Sequence, residues 1–170
     1  MKPSGSRSEC AYLAQHPLFE QIPRLRDDIV TPSYCYLTQR EDGGDDDPAV
    51  NSWFGPAGTV TPCHHDPKHN LLCQVVGRKY IRLYPADTTQ GEDAGWSPEG
   101  SPLYPHTKGM NTNSSRVDLR APDLAAFPRV ATAAYFECVL HPGEVLYIPP
   151  RWWHYVQSLD CAFSVNFFWE

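Results

Sequence analysis

The sequence lacks any long apolar segment. No stretch approaches the roughly 18–20 consecutive apolar residues needed to cross a bilayer. The start of the chain, from Met1 to Glu9, is polar and contains no apolar core of a signal peptide. We therefore expect a soluble protein that is not exported.

Positive charge is also scarce. Lys and Arg number 14 against 20 Asp and Glu, which gives a formal net charge of −6. A nucleic-acid-binding surface normally shows clustered basic residues, so the composition argues against direct binding of nucleic acid. Much of the negative excess lies between Glu41 and Asp47, in the run EDGGDDD. This run is interpreted as a solvated loop, and a surface that attracts a basic protein substrate is the alternative.

The six cysteines include no CxxC pair. Zinc-ribbon spacing is therefore absent, and a disulfide framework is not expected without a signal peptide. Reduced thiols in an intracellular protein are the simplest interpretation.

What the sequence does have is proline and short β-like runs. The 170 residues suffice for one hydrophobic core but are few for two domains, and the 17 prolines disfavour long helices. Residues 1–9 are interpreted as a flexible lead-in and residues 10–170 as one domain, with short helical turns between residues 10 and 29. Strands are predicted at residues 50–54, 59–61, 71–76, 80–84, 135–140, 145–148 and 161–169. Two hairpins are expected, 71–76 with 80–84 and 135–140 with 145–148, within a sandwich, jelly roll or barrel.

A possible metal site is formed by an H-x-D tripeptide and a distant histidine. On a strand, residues i and i+2 project from the same face, so His64 and Asp66 can reach one ion. His154 follows far downstream, and two histidines with one carboxylate make the facial triad typical of non-haem iron(II). A solvated turn in which His64 and Asp66 only form hydrogen bonds is the alternative. His65 is one residue out of phase and is a second-choice ligand.

Three motifs resemble those of the JmjC-domain oxygenases. They are WFGPAGTVTPCHHDP from Trp53 to Pro67, GRKYIRLY from Gly77 to Tyr84, and PGEVLYIPPRWWHYV from Pro142 to Val156. Their order and spacing match the family over nearly the whole chain, from about Tyr12 to Trp169. The last strand departs from the family pattern at Asn166 and Phe168.

The resemblance implies a mainly β fold, the double-stranded β-helix or cupin-like jelly roll, with a few short helices. The family's domain usually begins upstream of the residue that matches Tyr12, so an N-terminal part of the fold is expected to be missing. The implied cofactors are Fe(II), 2-oxoglutarate and O2, with His64, Asp66 and His154 as the catalytic metal ligands. Lys79 would pair with the distal carboxylate of 2-oxoglutarate, and the cosubstrate would receive hydrogen bonds from Thr61, Asn70 and Tyr12.

Three of the four implied cosubstrate residues also have an ordinary structural interpretation. Lys79 could be an exposed lysine that protects a sheet edge from pairing. Thr61 could be a common strand threonine, and Asn70 could cap the turn before Leu71.

The implied partner is a protein substrate with a basic side chain. Arginyl hydroxylation and demethylation of a histone methyl-lysine are both implied by the resemblance, in a monomer of the nucleus or cytoplasm that binds neither nucleic acid nor membrane. Two other classes remain open. One is a non-catalytic cupin module that binds a partner protein, and the other is a metal-dependent cupin isomerase or dioxygenase that needs no Lys79.

Overall fold

The fold is mainly β, as predicted. A computed structural model describes residues 11–37, 47–86, 101–103 and 113–170, and this part of the chain contains nine β-strands in two antiparallel sheets. Sheet A has the strand order β1-β2-β9-β4-β7, and sheet B has the order β3-β8-β5-β6. The predicted lead-in and most of the acidic run lie outside the described residues.

The strands of sheet A are β1 (Leu13–His16), β2 (Ala49–Gly55), β4 (His69–Val76), β7 (Val145–Ile148) and β9 (Ala162–Trp169). Those of sheet B are β3 (Val60–His65), β5 (Lys79–Tyr84), β6 (Phe136–Leu140) and β8 (Trp153–Ser158). All strand runs expected from the sequence are present. Two strands, β1 and β8, were not among the predicted ranges. The four residues of β1 show no apolar alternation.

Both predicted hairpins are wrong. Strands β4 and β5 follow each other in the chain, but β4 pairs with β7 and β9 while β5 pairs with β6 and β8. Strands β6 and β7 are separated between the sheets in the same way. A short turn between two apolar runs can join the two strands of a hairpin or two strands that belong to different sheets. The pairing is decided by which face each strand must bury.

Short helices cover the outer face of sheet A. They are α1 (Leu18–Gln21) and two 3-10 helices, Pro23–Asp28 and Ser33–Tyr36. The first two confirm the helical turns expected between residues 10 and 29. Phe19 and Cys35 from these helices pack on Leu71, Phe167 and Trp169 of the sheet. No helix among the described residues is long and apolar enough to span a membrane.

The space between the sheets is filled by apolar side chains from both. Leu72 and Ile148 of sheet A meet Ile81, Leu83 and Val156 of sheet B. On β5, Lys79, Ile81 and Leu83 point toward this layer and are buried, while Tyr80 and Arg82 on the other face are only partly buried. This inner layer forms the floor of the pocket described next.

Candidate metal centre

The two histidines of the predicted triad are cross-strand neighbours. His64 on β3 lies opposite His154 on β8 in the antiparallel register, and their ring centroids are 4.1 Å apart. A bulge in β3 between Thr61 and His64 allows this pairing. This strand register therefore brings together two side chains, His64 and His154, that are 90 residues apart in the sequence.

Asp66 reaches the same point, but not through the pleat of a strand. Strand β3 ends at His65, so the prediction that His64 and Asp66 share one strand is wrong. The backbone N–H of Arg151 donates to the carbonyl oxygen of Asp66 at 2.6 Å, and Arg151 has a positive φ of 67°. This link between two turns holds the carboxylate, whose Oδ2 lies 3.8 Å from His64 Nε2 and 3.5 Å from His154 Nε2.

Both imidazole rings are held in the tautomer that can bind a metal ion through Nε2. His64 Nδ1 donates to the carbonyl of Pro62 at 2.9 Å, and His154 Nδ1 donates to the carbonyl of Trp152 at 3.0 Å. Because a carbonyl can only accept, Nδ1 carries the proton in a neutral ring and Nε2 presents its lone pair. The three ligand atoms lie within 4.8 Å of one another. Two nitrogens and one carboxylate oxygen are the donor set of a non-haem iron(II) site, and these residues fit one.

Burial favours the neutral form of the histidine that is most enclosed. His154 is 3% exposed. Its burial, together with the neighbouring His64, holds the pKa of His154 well below its ordinary value. Burial also raises the pKa of Asp66, and the charge of His64 acts in the opposite direction. A cation between these groups would offset the cost of burying the carboxylate.

The other histidine considered as a ligand lies elsewhere. His65 points away from this cluster and packs edge-on against Trp153, with ring centroids 4.6 Å apart. Among the described residues, His64, Asp66 and His154 form the one group with metal-ligand geometry.

Lys79 is buried in the same pocket. It is 2% exposed, and no described residue forms an ion pair or hydrogen bond with its ammonium group. Burial lowers the pKa of Lys79 to about 8. The alternative of an exposed edge lysine is wrong, because β5 lies between β6 and β8. A buried cation that lacks a protein partner points to an anionic ligand.

The remaining predicted residues line this pocket as well. Tyr12 and Thr61 share a hydrogen bond of 3.0 Å between their hydroxyl groups, and Asn70 lies on the opposite sheet. The structure thus brings together all seven residues that were predicted from the sequence as site residues.

Six further residues line the pocket. Leu72, Ile148 and Val156 belong to the apolar layer between the sheets, and Trp53, Asn166 and Phe168 stand on β2 and β9 of sheet A. Asn166 is 1% exposed within a strand of large apolar residues. A polar side chain at an inward position of such a strand is the signal that could have identified it.

Comparison with known proteins gives consistent matches. Residues 2–170 match the family described as "Cupin-like domain". The chain is 52% identical over 166 residues to lysine-specific demethylase JMJ30 of Arabidopsis thaliana, covering 98% of this chain and 35% of that protein. It is 49% identical over 159 residues to lysine-specific demethylase 8 of Xenopus tropicalis, covering 94% and 33%.

A third relative is Jumonji C domain-containing protein 5 of Drosophila melanogaster. The identity is 45% over 170 residues, covering 99% of this chain and 39% of that protein. The chain therefore spans about a third of the length of the curated relatives it matches.

Proposed function

The chain belongs to the cupin-like domain family, and from this membership and the site we propose that it is a JmjC-type, Fe(II)- and 2-oxoglutarate-dependent protein oxygenase. One observation carries the proposal: a two-histidine, one-carboxylate cluster and a buried lysine without a protein partner line the same pocket. The triad accounts for the metal, and the lysine accounts for an anionic cosubstrate. A cupin isomerase would need no such lysine.

The pocket residues have distinct tasks in this proposal. His64, Asp66 and His154 would hold the iron. Bound together, iron and 2-oxoglutarate supply the activation of O2 for oxidation of a C–H bond. Lys79 would bind the distal carboxylate, and its ammonium is already desolvated before the ligand enters.

The polar groups around the lysine would orient the cosubstrate. Tyr12 and Thr61 present hydroxyl groups from one side, and Asn70 presents an amide from the other. Leu72 and Val156 contribute apolar walls that exclude water from the site.

The proposed substrate is a basic side chain of a protein. Arginyl hydroxylation is implied by the resemblance, while the names of two relatives, both lysine-specific demethylases, favour a methyl-lysine. Both reactions begin with hydroxylation of a carbon, so one site could perform either. We further propose a monomer that acts in the nucleus or cytoplasm.

Release of succinate from 2-oxoglutarate tests the proposal. With Fe(II) and a basic peptide, we expect turnover that His64→Ala reduces at least about 100-fold, because one of three metal ligands is lost. His141→Ala is the matched control, since His141 is an exposed turn residue outside the pocket, and it should retain full turnover. Equal turnover in both variants would leave a non-catalytic binding module as the better interpretation.

Mass spectrometry of the peptide separates the two substrates. A gain of one oxygen on arginine identifies a hydroxylase, and loss of a methyl group from lysine identifies a demethylase. If succinate is released and the peptide shows neither change in mass, the true substrate is a different side chain.

A further inference from the structure

Three side chains form a hydrogen-bonded line across sheet A. Trp53 Nε1 donates to Asn166 Oδ1 at 2.8 Å, and Asn166 Nδ2 donates to Asn70 Oδ1 at 3.1 Å. They stand on the adjacent strands β2, β9 and β4, at positions diagonal to one another in the register. All three side chains line the pocket that contains the metal ligands and Lys79.

The donor and acceptor roles along this series of hydrogen bonds are fixed by Trp53. The indole N–H of Trp53 can only donate, so Asn166 must turn its carbonyl oxygen toward Trp53. The amide nitrogen of Asn166 then faces Asn70, which must accept through Oδ1. Each amide orientation is therefore determined by the one before it.

Asn70, the last side chain of the series, has a hydrogen-bond donor that is available to a ligand. With its oxygen occupied by Asn166, Asn70 has its amide nitrogen left over, and no described residue accepts a hydrogen bond from it. Asn70 is 5% exposed, so this donor lies at the wall of the pocket rather than in solvent. A donor that faces the pocket without a protein acceptor can bind an acceptor group of a ligand.

We propose that Trp53 and Asn166 are positioning residues that set the polarity of Asn70, so that Asn70 donates to an oxygen of the bound cosubstrate. The inference rests on the proposed 2-oxoglutarate site and extends it to two residues that do not themselves need to touch the ligand. If the amide of Asn70 were reversed, a carbonyl oxygen would face the carboxylate and repel it. The indole N–H of Trp53 thus makes the pocket favour a ligand group that accepts a hydrogen bond from Asn70, although Trp53 acts only through Asn166.

A double-mutant cycle tests whether Trp53 acts through Asn70. The dissociation constant for 2-oxoglutarate is measured calorimetrically on the Mn(II)-loaded protein without oxygen, so no turnover is involved. Trp53→Phe should weaken binding about 5-fold, the effect of losing the orientation of one neutral hydrogen bond. Asn70→Ala should weaken it about 10-fold, and adding Trp53→Phe to Asn70→Ala should change nothing more.

The controls separate the possible failures. Trp169→Phe changes a tryptophan on the outer face of sheet A, where it packs with Phe19, and should leave the dissociation constant unchanged. Asn166→Leu provides a second cycle with Asn70→Ala, in case Trp53→Phe disturbs the wall of the pocket. If the effects of the paired substitutions multiply in both cycles, the proposed positioning role is overturned. If the wild-type protein does not bind 2-oxoglutarate at all, the proposed function fails instead.

Discussion

Lys79 is the residue whose environment is least explicable without a ligand. Its ammonium is removed from water, which lowers its pKa to about 8, and no described residue provides a compensating carboxylate. A protein that only needed to fold would gain stability from an apolar side chain at this position. The lysine is therefore best understood as part of a binding site for an anion.

The charge of Lys79 predicts how cosubstrate binding depends on pH. Below about pH 8 the ammonium is protonated, and above it the free protein increasingly carries the neutral amine. The dissociation constant for 2-oxoglutarate should be flat below pH 7 and rise about 10-fold per pH unit above 8, where binding requires uptake of a proton. Calorimetric titration with Mn(II) between pH 6.5 and 9.5 measures this dependence.

Two variants check that the dependence belongs to this residue. Lys79→Arg keeps its charge over the whole range, so the rise above pH 8 should disappear. Lys79→Ala should weaken binding about 30-fold or more at pH 7. An unchanged dissociation constant in Lys79→Ala would remove this residue from the site.

At the scale of elements, the connection between β4 and β5 carries the chain from one sheet to the other. Gly77 lies at this connection with a φ of +69°, a conformation that side chains disfavour. A Cβ added there would lie 2.2 Å from the carbonyl oxygen of Cys161, which is backbone and cannot turn aside. The crossing of the chain between the sheets depends on the close approach of Gly77 to the backbone of Cys161. Strand β5 begins directly after this connection with Lys79, which lies in the pocket.

Gly77→Ala should therefore destabilise the protein far more than an ordinary glycine substitution. We expect a loss of about 3 kcal/mol or more in the free energy of unfolding, since left-handed strain and a backbone clash act together. Gly143→Ala is the matched control, because Gly143 also has a positive φ, +88°, but a Cβ there meets nothing within 4 Å. It should cost only about 1 kcal/mol. Urea denaturation compares the two, and equal losses would show that the contact with Cys161 is unimportant.

At the scale of the whole molecule, the site is divided between the two sheets. The two histidines of the candidate metal centre and Lys79 stand on sheet B, while Asn70, Asn166 and Trp53 stand on sheet A. A ligand that reaches both sets of groups would hold the sheets together. Binding energy at the site should then appear as stability of the entire fold.

Thermal unfolding measures this coupling. Mn(II) with 2-oxoglutarate at about 100 times its dissociation constant should add about 2.7 kcal/mol, which corresponds to a rise of about 5 to 10 °C in Tm for a chain of this size. His154→Ala should remove the rise, because the metal that anchors the ligand is lost. A similar rise in that variant would place the ligand outside the proposed centre.

The sequence, with its resemblance to the JmjC family, was enough to predict the mainly β fold class, seven of the nine described strands and seven residues that line the pocket. The GRKYIRLY motif identified Lys79 as a candidate site residue, but an exposed position at a sheet edge remained open until the order of the strands was known. The motifs shared with the JmjC family identified His64, Asp66 and His154, since a metal site requires particular donor types at particular spacings.

Only the tertiary structure decided which sheet each strand joins, how Asp66 is held and which way Asn70 points. The sequence predicted two hairpins where the chain in fact crosses between sheets, because a short turn does not reveal its partner strand. Asp66 is placed by a backbone bond from Arg151, and Asn70 is oriented by Trp53 through Asn166. Each of these depends on contacts between residues far apart in the chain, which local pattern cannot encode.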